Sequence, residues 1–204
     1  MTIDAKQVKE LREKTGAGMM DCKRALMDSE GDIKKAIENL RKSGIAKAEK
    51  KGTRFAKDGL VFSYIHPGGR LGVLVEIGCE TDFVAKTDDF IKLTKDIAMQ
   101  IAATNPISIN RDGISDDVIS QEKDIYLAQA ENSRKPAHIL EKIVTGRLDK
   151  FYQENCLMEQ PFIKDPNRKV NDLITQAVAK LGEKIEVNRF TRFEIGEAGT
   201  NNNN

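Results

Sequence analysis

The sequence predicts an α+β protein with a three-helix module at its N-terminus, then a small antiparallel sheet packed with helices, and a helical-hairpin arm. Three observations predict it. Apolar residues in the first 44 positions recur at helical spacing. Two β-rich runs flank His66-Pro67-Gly68-Gly69, which is strong turn chemistry. Residues 115–153 are rich in helix formers and broken once, at Lys135-Pro136.

In the N-terminal module, Asp4 caps the first helix and Gln7 follows at capping-box spacing. Val8 and Leu11 line its inner face, and Gly16 stops it. Gly18 precedes a second helix carrying Met19, Met20, Cys22, Ala25 and Leu26, which Gly31 ends. Asp32 caps a third, where Ile33, Ala36, Ile37 and Leu40 recur at i, i+3, i+4 and i+7, and Gly44 closes the unit. The domain boundaries expected are 1–44 for this module and 45–57 for a basic linker. A sheet-bearing core follows in 58–114 and 154–197, with the arm inserted at 115–153, and 198–204 forms a disordered tail ending in Asn201–Asn204.

The sheet begins with Leu60–Ile65 and Leu71–Ile77, where Leu71, Val73, Val75, Ile77 and Cys79 alternate onto one face. A helix with Phe90, Leu93, Ile97 and Ile101 on one side is suited to cover it. A late strand, Ile185–Ile195, joins from far along the chain. In the arm, Val118, Ile119, Ile125 and Ala128 face Ile139, Ile143, Val144, Leu148 and Phe151 across a narrow seam.

Of the 204 residues, 39% are hydrophobic and 32% charged. Lys plus Arg total 33 against 32 Asp plus Glu, so the net charge is +1. That balance argues against a dedicated nucleic-acid binder, which carries a basic excess. No apolar run approaches the roughly 18 residues that span a bilayer, and the N-terminus lacks a signal-peptide layout. Cys22, Cys79 and Cys156 form no C-x-x-C pair, so no metal knuckle or redox motif is expected, and buried thiols in a reducing cytoplasm account for them.

The catalytic inventory is thin. His66 and His138 have no nucleophile or carboxylate at recognisable spacing, and no metalloprotease, nucleophile-elbow or phosphate-loop motif is present. Gly16-Ala17-Gly18 lies between helices and makes no nucleotide cradle. A binding protein without cofactor is the reading that remains. Two stretches could carry binding. Arg41, Lys42, Lys47, Lys50, Lys51, Arg54 and Lys57 read either as a solvated linker or as a contact for an acidic partner or RNA. Thr81-Asp82-Phe83-Val84-Ala85-Lys86, between strand and helix, reads either as a core aromatic beside a capping Asp82 or as a wedge and a charge presented to a partner.

The block Leu11-Arg12-Glu13-Lys14-Thr15-Gly16-Ala17-Gly18-Met19-Met20-Asp21-Cys22-Lys23 resembles a signature of the elongation factor Ts family. So do Glu80–Lys86, Glu159-Gln160-Pro161-Phe162-Ile163 and Arg192-Phe193-Glu194-Ile195-Gly196-Glu197, in the family's order along nearly the whole chain. The resemblance implies a ubiquitin-associated-like N-terminal module that docks on the GTPase domain of elongation factor Tu, with Leu11, Arg12, Met19, Met20 and Lys23 at the docking positions. It implies that Thr81, Asp82, Phe83 and Val84 intrude near that partner's nucleotide and disturb its magnesium, promoting GDP release so that GTP can rebind. It implies no enzyme activity, no membrane and no direct nucleic-acid contact. The alternative is an RNA- or ribosome-associated protein using residues 41–57. The sheet-bearing core occurs once here, whereas some members duplicate it. A three-stranded sheet leaves exposed edges, so a homodimer is expected.

Overall fold

A computed structural model of the chain describes residues 3–131 and 136–197. Lys135, at the expected break, and the tail 198–204 lie outside them. The elements run α1 (Ala5–Thr15), α2 (Met19–Asp28), α3 (Ile33–Lys51), β1 (Asp58–Ile65), β2 (Leu71–Cys79), α4 (Asp82–Ala85), α5 (Asp88–Thr104), α6 (Asp116–Glu131) and α7 (Ala137–Asn155). They continue with β3 (Pro161–Phe162), β4 (Asp165–Lys169), α8 (Val170–Leu181) and β5 (Ile185–Glu194). The antiparallel three-stranded sheet has the order β1-β2-β5, so the late strand joins beside the second run of the hairpin. β3 and β4 make a separate antiparallel pair, with Pro161 opposite Lys169. The fold class is therefore α+β, as the sequence predicts.

The described residues gather into two compact units. The first comprises 3–61, 76–94 and 172–188. Its three N-terminal helices close on Val8, Leu11, Cys22, Ala25, Leu26 and Ala36, with Ile3, Ala17, Ile33 and Leu40 packed against them. The predicted caps form. Asp4 and Gln7 complete a reciprocal capping box, Gly16 ends α1 with φ 67°, and Asp32 accepts the Lys35 N–H at 3.1 Å. Gly44 does not end the third helix. It is buried inside α3, where a side chain would lie 3.5 Å from Ala179 Cβ, and the helix continues to Lys51 through half of the expected linker. One helical Gly costs only about 1 kcal/mol, too little to end the helix by itself. Where β1 meets β2, a side chain on Gly59 would collide with the Ile77 carbonyl, so this position requires glycine.

The second unit comprises, among the described residues, 62–75, 95–131, 136–171 and 189–197. Ile97, Ala98, Ile101, Leu157, Phe162 and Val170 are buried there. A polar latch is buried with them: Gln100 Nε2 donates to Gln160 Oε1 at 3.0 Å, and Thr104 Oγ1 donates to the same oxygen at 2.7 Å. The arm is rooted on Ile114, Phe151 and Cys156, with Val118, Ile119 and Tyr152 against them. Arg111 bridges Glu159 at 2.6 Å and Asp149 at 3.1 Å and stacks 4.3 Å from the Tyr152 ring centroid. Further out, Val144 and Leu148 are buried, whereas Ile125, expected in the seam, is exposed.

Candidate functional site

The strand-to-helix turn is built from Thr81 outward. β2 ends at Cys79, and Thr81 takes extended backbone (φ −136°, ψ 154°) as the N-cap of α4. Its hydroxyl accepts the Val84 N–H at 3.4 Å. α4 is a single turn, held by Ala85 N–H to the Thr81 carbonyl at 3.3 Å and Lys86 N–H to the Asp82 carbonyl at 3.2 Å. The cap is thus Thr81, not Asp82. Asp82 instead accepts from Lys86 Nζ at 2.6 Å, one turn on. That bond holds the Asp82 carboxyl below its usual range and raises the Lys86 ammonium.

Phe83 is 80% exposed. Reading it as a core aromatic is therefore incorrect: Ala85 is the residue of this turn that points inward, at 3% exposure, and Phe90 one helix later is fully buried. A four-residue turn has one inward direction, and the small Ala85 occupies it. Val84 is half-buried, and Thr87 Oγ1 donates to its carbonyl at 2.8 Å.

A residue more than 100 positions away holds the turn from the other side. Glu183, half-buried between α8 and β5, accepts the Glu80 N–H at 3.1 Å and the Thr81 N–H at 3.0 Å on Oε2, and the Thr81 hydroxyl at 2.7 Å on Oε1. The arrangement is reciprocal, because Glu80 Oε1 accepts the Lys184 N–H at 2.6 Å. That bond, with Arg54 at 3.2 Å, depresses the Glu80 carboxyl. Burial and the neighbouring Glu183 charge push the Cys79 thiol up to about 11, so it stays a thiol. No sequence motif marked Glu183 or Lys184, and Arg54 was marked only as part of the basic stretch. Their roles depend on chain segments that meet only on folding.

The other candidate residues sit on α1 and α2. Met19 and Met20 are 58% and 68% exposed, so they are surface rather than core. Arg12 and Lys23 are exposed as well. Leu11 differs: it is fully buried in the module's core, because α1 turns that face toward α2 and α3. It supports the surface from behind and does not present its own side chain.

The basic stretch is largely engaged within the chain. Arg41 lies 3.6 Å from Asp172, Lys42 2.8 Å from Glu38, Lys47 2.8 Å from Asp21 and Arg54 3.2 Å from Glu80. Lys51 donates to the Gly182 carbonyl. His66 Nδ1 lies 3.0 Å from the Tyr64 hydroxyl across the exposed hairpin end. Among the described residues no group of three or more His, Cys, Asp and Glu could hold a metal, and no helix is long and apolar enough to cross a membrane. All three cysteines are free and buried.

The chain matches the family described as Elongation factor TS over residues 4–197. It is 58% identical over 195 residues to the elongation factor Ts of Moorella thermoacetica, covering 96% of each chain. To that of Desulforamulus reducens it is 60% identical over 195 residues, covering 96% of this chain and 90% of the relative. To that of Fervidobacterium nodosum it is 56% identical over 197 residues, covering 97% and 100%.

Proposed function

We infer, from the premise that this chain belongs to the elongation factor Ts family, that it works in translation elongation as the guanine-nucleotide exchange factor of elongation factor Tu. The observation that carries this reading is Phe83, an aromatic 80% exposed on a turn held by polar bonds on both sides. Apolar surface of that kind gains free energy when a partner covers it.

The mechanism needs no chemistry from this chain. Arg12, Met19, Met20 and Lys23 dock on the GTPase domain, and thioethers suit a surface that must adapt. Phe83 then displaces partner side chains beside the nucleotide. Asp82 brings a carboxylate toward the partner's magnesium, the ion that neutralises the nucleotide phosphates. Shifting that ion weakens GDP. By linkage, GDP weakens the factor by the same ratio, so the factor binds the empty GTPase best and leaves when nucleotide returns. Thr81 and Val84, on the same turn, complete the segment that enters there. No cofactor, metal or nucleic acid is assigned to the chain, and the cytoplasm is the compartment that this role requires.

The homodimer belongs to the same reading. In the second unit a hollow of about 450 Å³ runs between the ends of β1, β2 and β5, and Ile65, Leu74, Phe193 and Ile195 beside it are all exposed. Such a patch is the kind that a two-fold partner covers. The test of function is stopped-flow release of fluorescent GDP from elongation factor Tu. Release should accelerate saturably with this chain and slow again as magnesium is raised. Unchanged release at saturating chain would refute the exchange role.

A further inference from the structure

We propose that Glu183 is the positioning residue of the exchange turn: its carboxylate sets the direction in which Asp82 and Phe83 project. The proposal rests on the exchange reading above and adds a residue that acts through the turn without touching the partner.

The geometry makes the case in three steps. First, Phe83 is 80% exposed and so has little side-chain packing to aim it. Its direction is inherited from the backbone of α4. Second, α4 is one turn, and an isolated turn is too short to hold itself in water. Its entry residue, Thr81, must be fixed from outside. Third, Glu183 supplies that fixation with three bonds, two from backbone N–H groups and one from the Thr81 hydroxyl, at 2.7 to 3.1 Å. Bonds to an ionised acceptor are roughly twice as strong as neutral ones. The hydroxyl bond also orients the Thr81 oxygen to accept the Val84 N–H, so the cap of α4 depends on it.

The backbone on either side of Glu183 is itself held in place. Gly182, at φ +81°, ends α8 in a left-handed conformation and turns the chain so that Glu183 follows at once. Lys51 donates to the Gly182 carbonyl, and Lys184 N–H is bound by Glu80. Each of the two peptide links, Glu80-Thr81 and Glu183-Lys184, thus offers a carboxylate to the other's backbone. Arg54, 3.2 Å from Glu80, balances the paired acids. A clasp made this way fixes the turn before the partner arrives, and the gain is pre-organisation, not contact area.

The test separates positioning from folding and from the wedge itself. Stimulated GDP release from elongation factor Tu is followed to saturation for the full chain and for Glu183→Ala, Glu183→Gln, Glu183→Asp and Phe83→Ala, beside thermal melts and amide exchange. A positioning residue lowers the maximal rate and leaves the half-saturating concentration nearly alone. The expectation for Glu183→Ala is a maximal rate lower by roughly tenfold with half-saturation within about twofold. Glu183→Gln, which can still accept the two N–H bonds and donate to the Thr81 oxygen, should recover to within about threefold of the parent. Amide exchange should accelerate at Glu80 and Thr81 and stay unchanged at Ile77. Glu183→Asp keeps the charge but withdraws it by one methylene, so it serves if the Ala variant does not fold, and it too must lower the maximal rate. A parental maximal rate in both Glu183→Ala and Glu183→Asp, with Phe83→Ala slow, would overturn the positioning role and leave the wedge standing. A parental rate in Phe83→Ala would overturn the wedge reading and with it the function of the clasp.

Discussion

Two of the regions that expose large apolar side chains do it in opposite ways. On α4, Phe83 stands as the exposed aromatic of a turn fixed by Glu183, Thr81 and the Asp82–Lys86 pair. At the end of the sheet in the second unit, Ile65, Leu74, Phe193 and Ile195 form a continuous apolar patch around a shallow hollow. A single fixed aromatic offers little area but a defined direction, which suits displacement of something in a partner. A patch offers area, and area gives association. Losing the first should therefore change a rate, and losing the second should change an equilibrium.

The largest effect is expected at Phe83. Phe83→Ala should lower the maximal stimulated release of GDP by about a hundredfold, with half-saturation moved far less. Equal shifts in both would make Phe83 part of the docking area and erase the contrast. Next comes the patch. Phe193→Asp should weaken self-association by about thirtyfold, read by light scattering after size exclusion, with maximal release intact. A parental chain that runs at 22.8 kDa and stays there on concentration would show that the patch covers no second copy.

The Met pair gives a third point on the scale. Met19→Ala with Met20→Ala should raise the half-saturating concentration by about tenfold and leave the melting temperature unchanged, since both side chains are exposed. Leu11→Ala sharpens this from the inside: a buried Leu truncated to Ala costs about 2–5 kcal/mol, so its loss should appear in the melt. The smallest effect is at Asp82. Its folded carboxyl lies below its ordinary 3.8, so the pair with Lys86 stabilises the turn fully above that value and is lost as pH falls below it. Lys86→Ala should raise the Asp82 titration midpoint observed by NMR, with little change in stability because the pair is exposed.

Local elements were legible in the sequence because their causes are local. The capping box at Asp4 and Gln7, the stop at Gly16, the Asp32 cap and the hairpin turn at His66-Pro67-Gly68-Gly69 each depend on residues within a few positions. The helix α8 is legible too, since Val170, Leu173, Ile174, Ala177, Val178 and Leu181 keep the helical period. β3 is too short for any periodicity to mark it, and β4, Asp165-Pro166-Asn167-Arg168-Lys169, carries no apolar residue but a proline to alternate.

The sequence by itself determined the fold class, the chemistry of the turn and the family, since the motifs that carry them are contiguous. It did not determine which way those residues face. Gly44 reads as a stop, yet it is buried inside a helix that runs on to Lys51. Leu11 and Met19 belong to one motif, and only the packing of α1 on α2 and α3 sends one inward and the other out. Phe83 reads equally as core or wedge until Ala85 is seen to take the inward position. Glu183 has no meaning at all in sequence, because hydrogen bonds act over about 3 Å and the chain between Glu183 and Thr81 must fold before that distance exists.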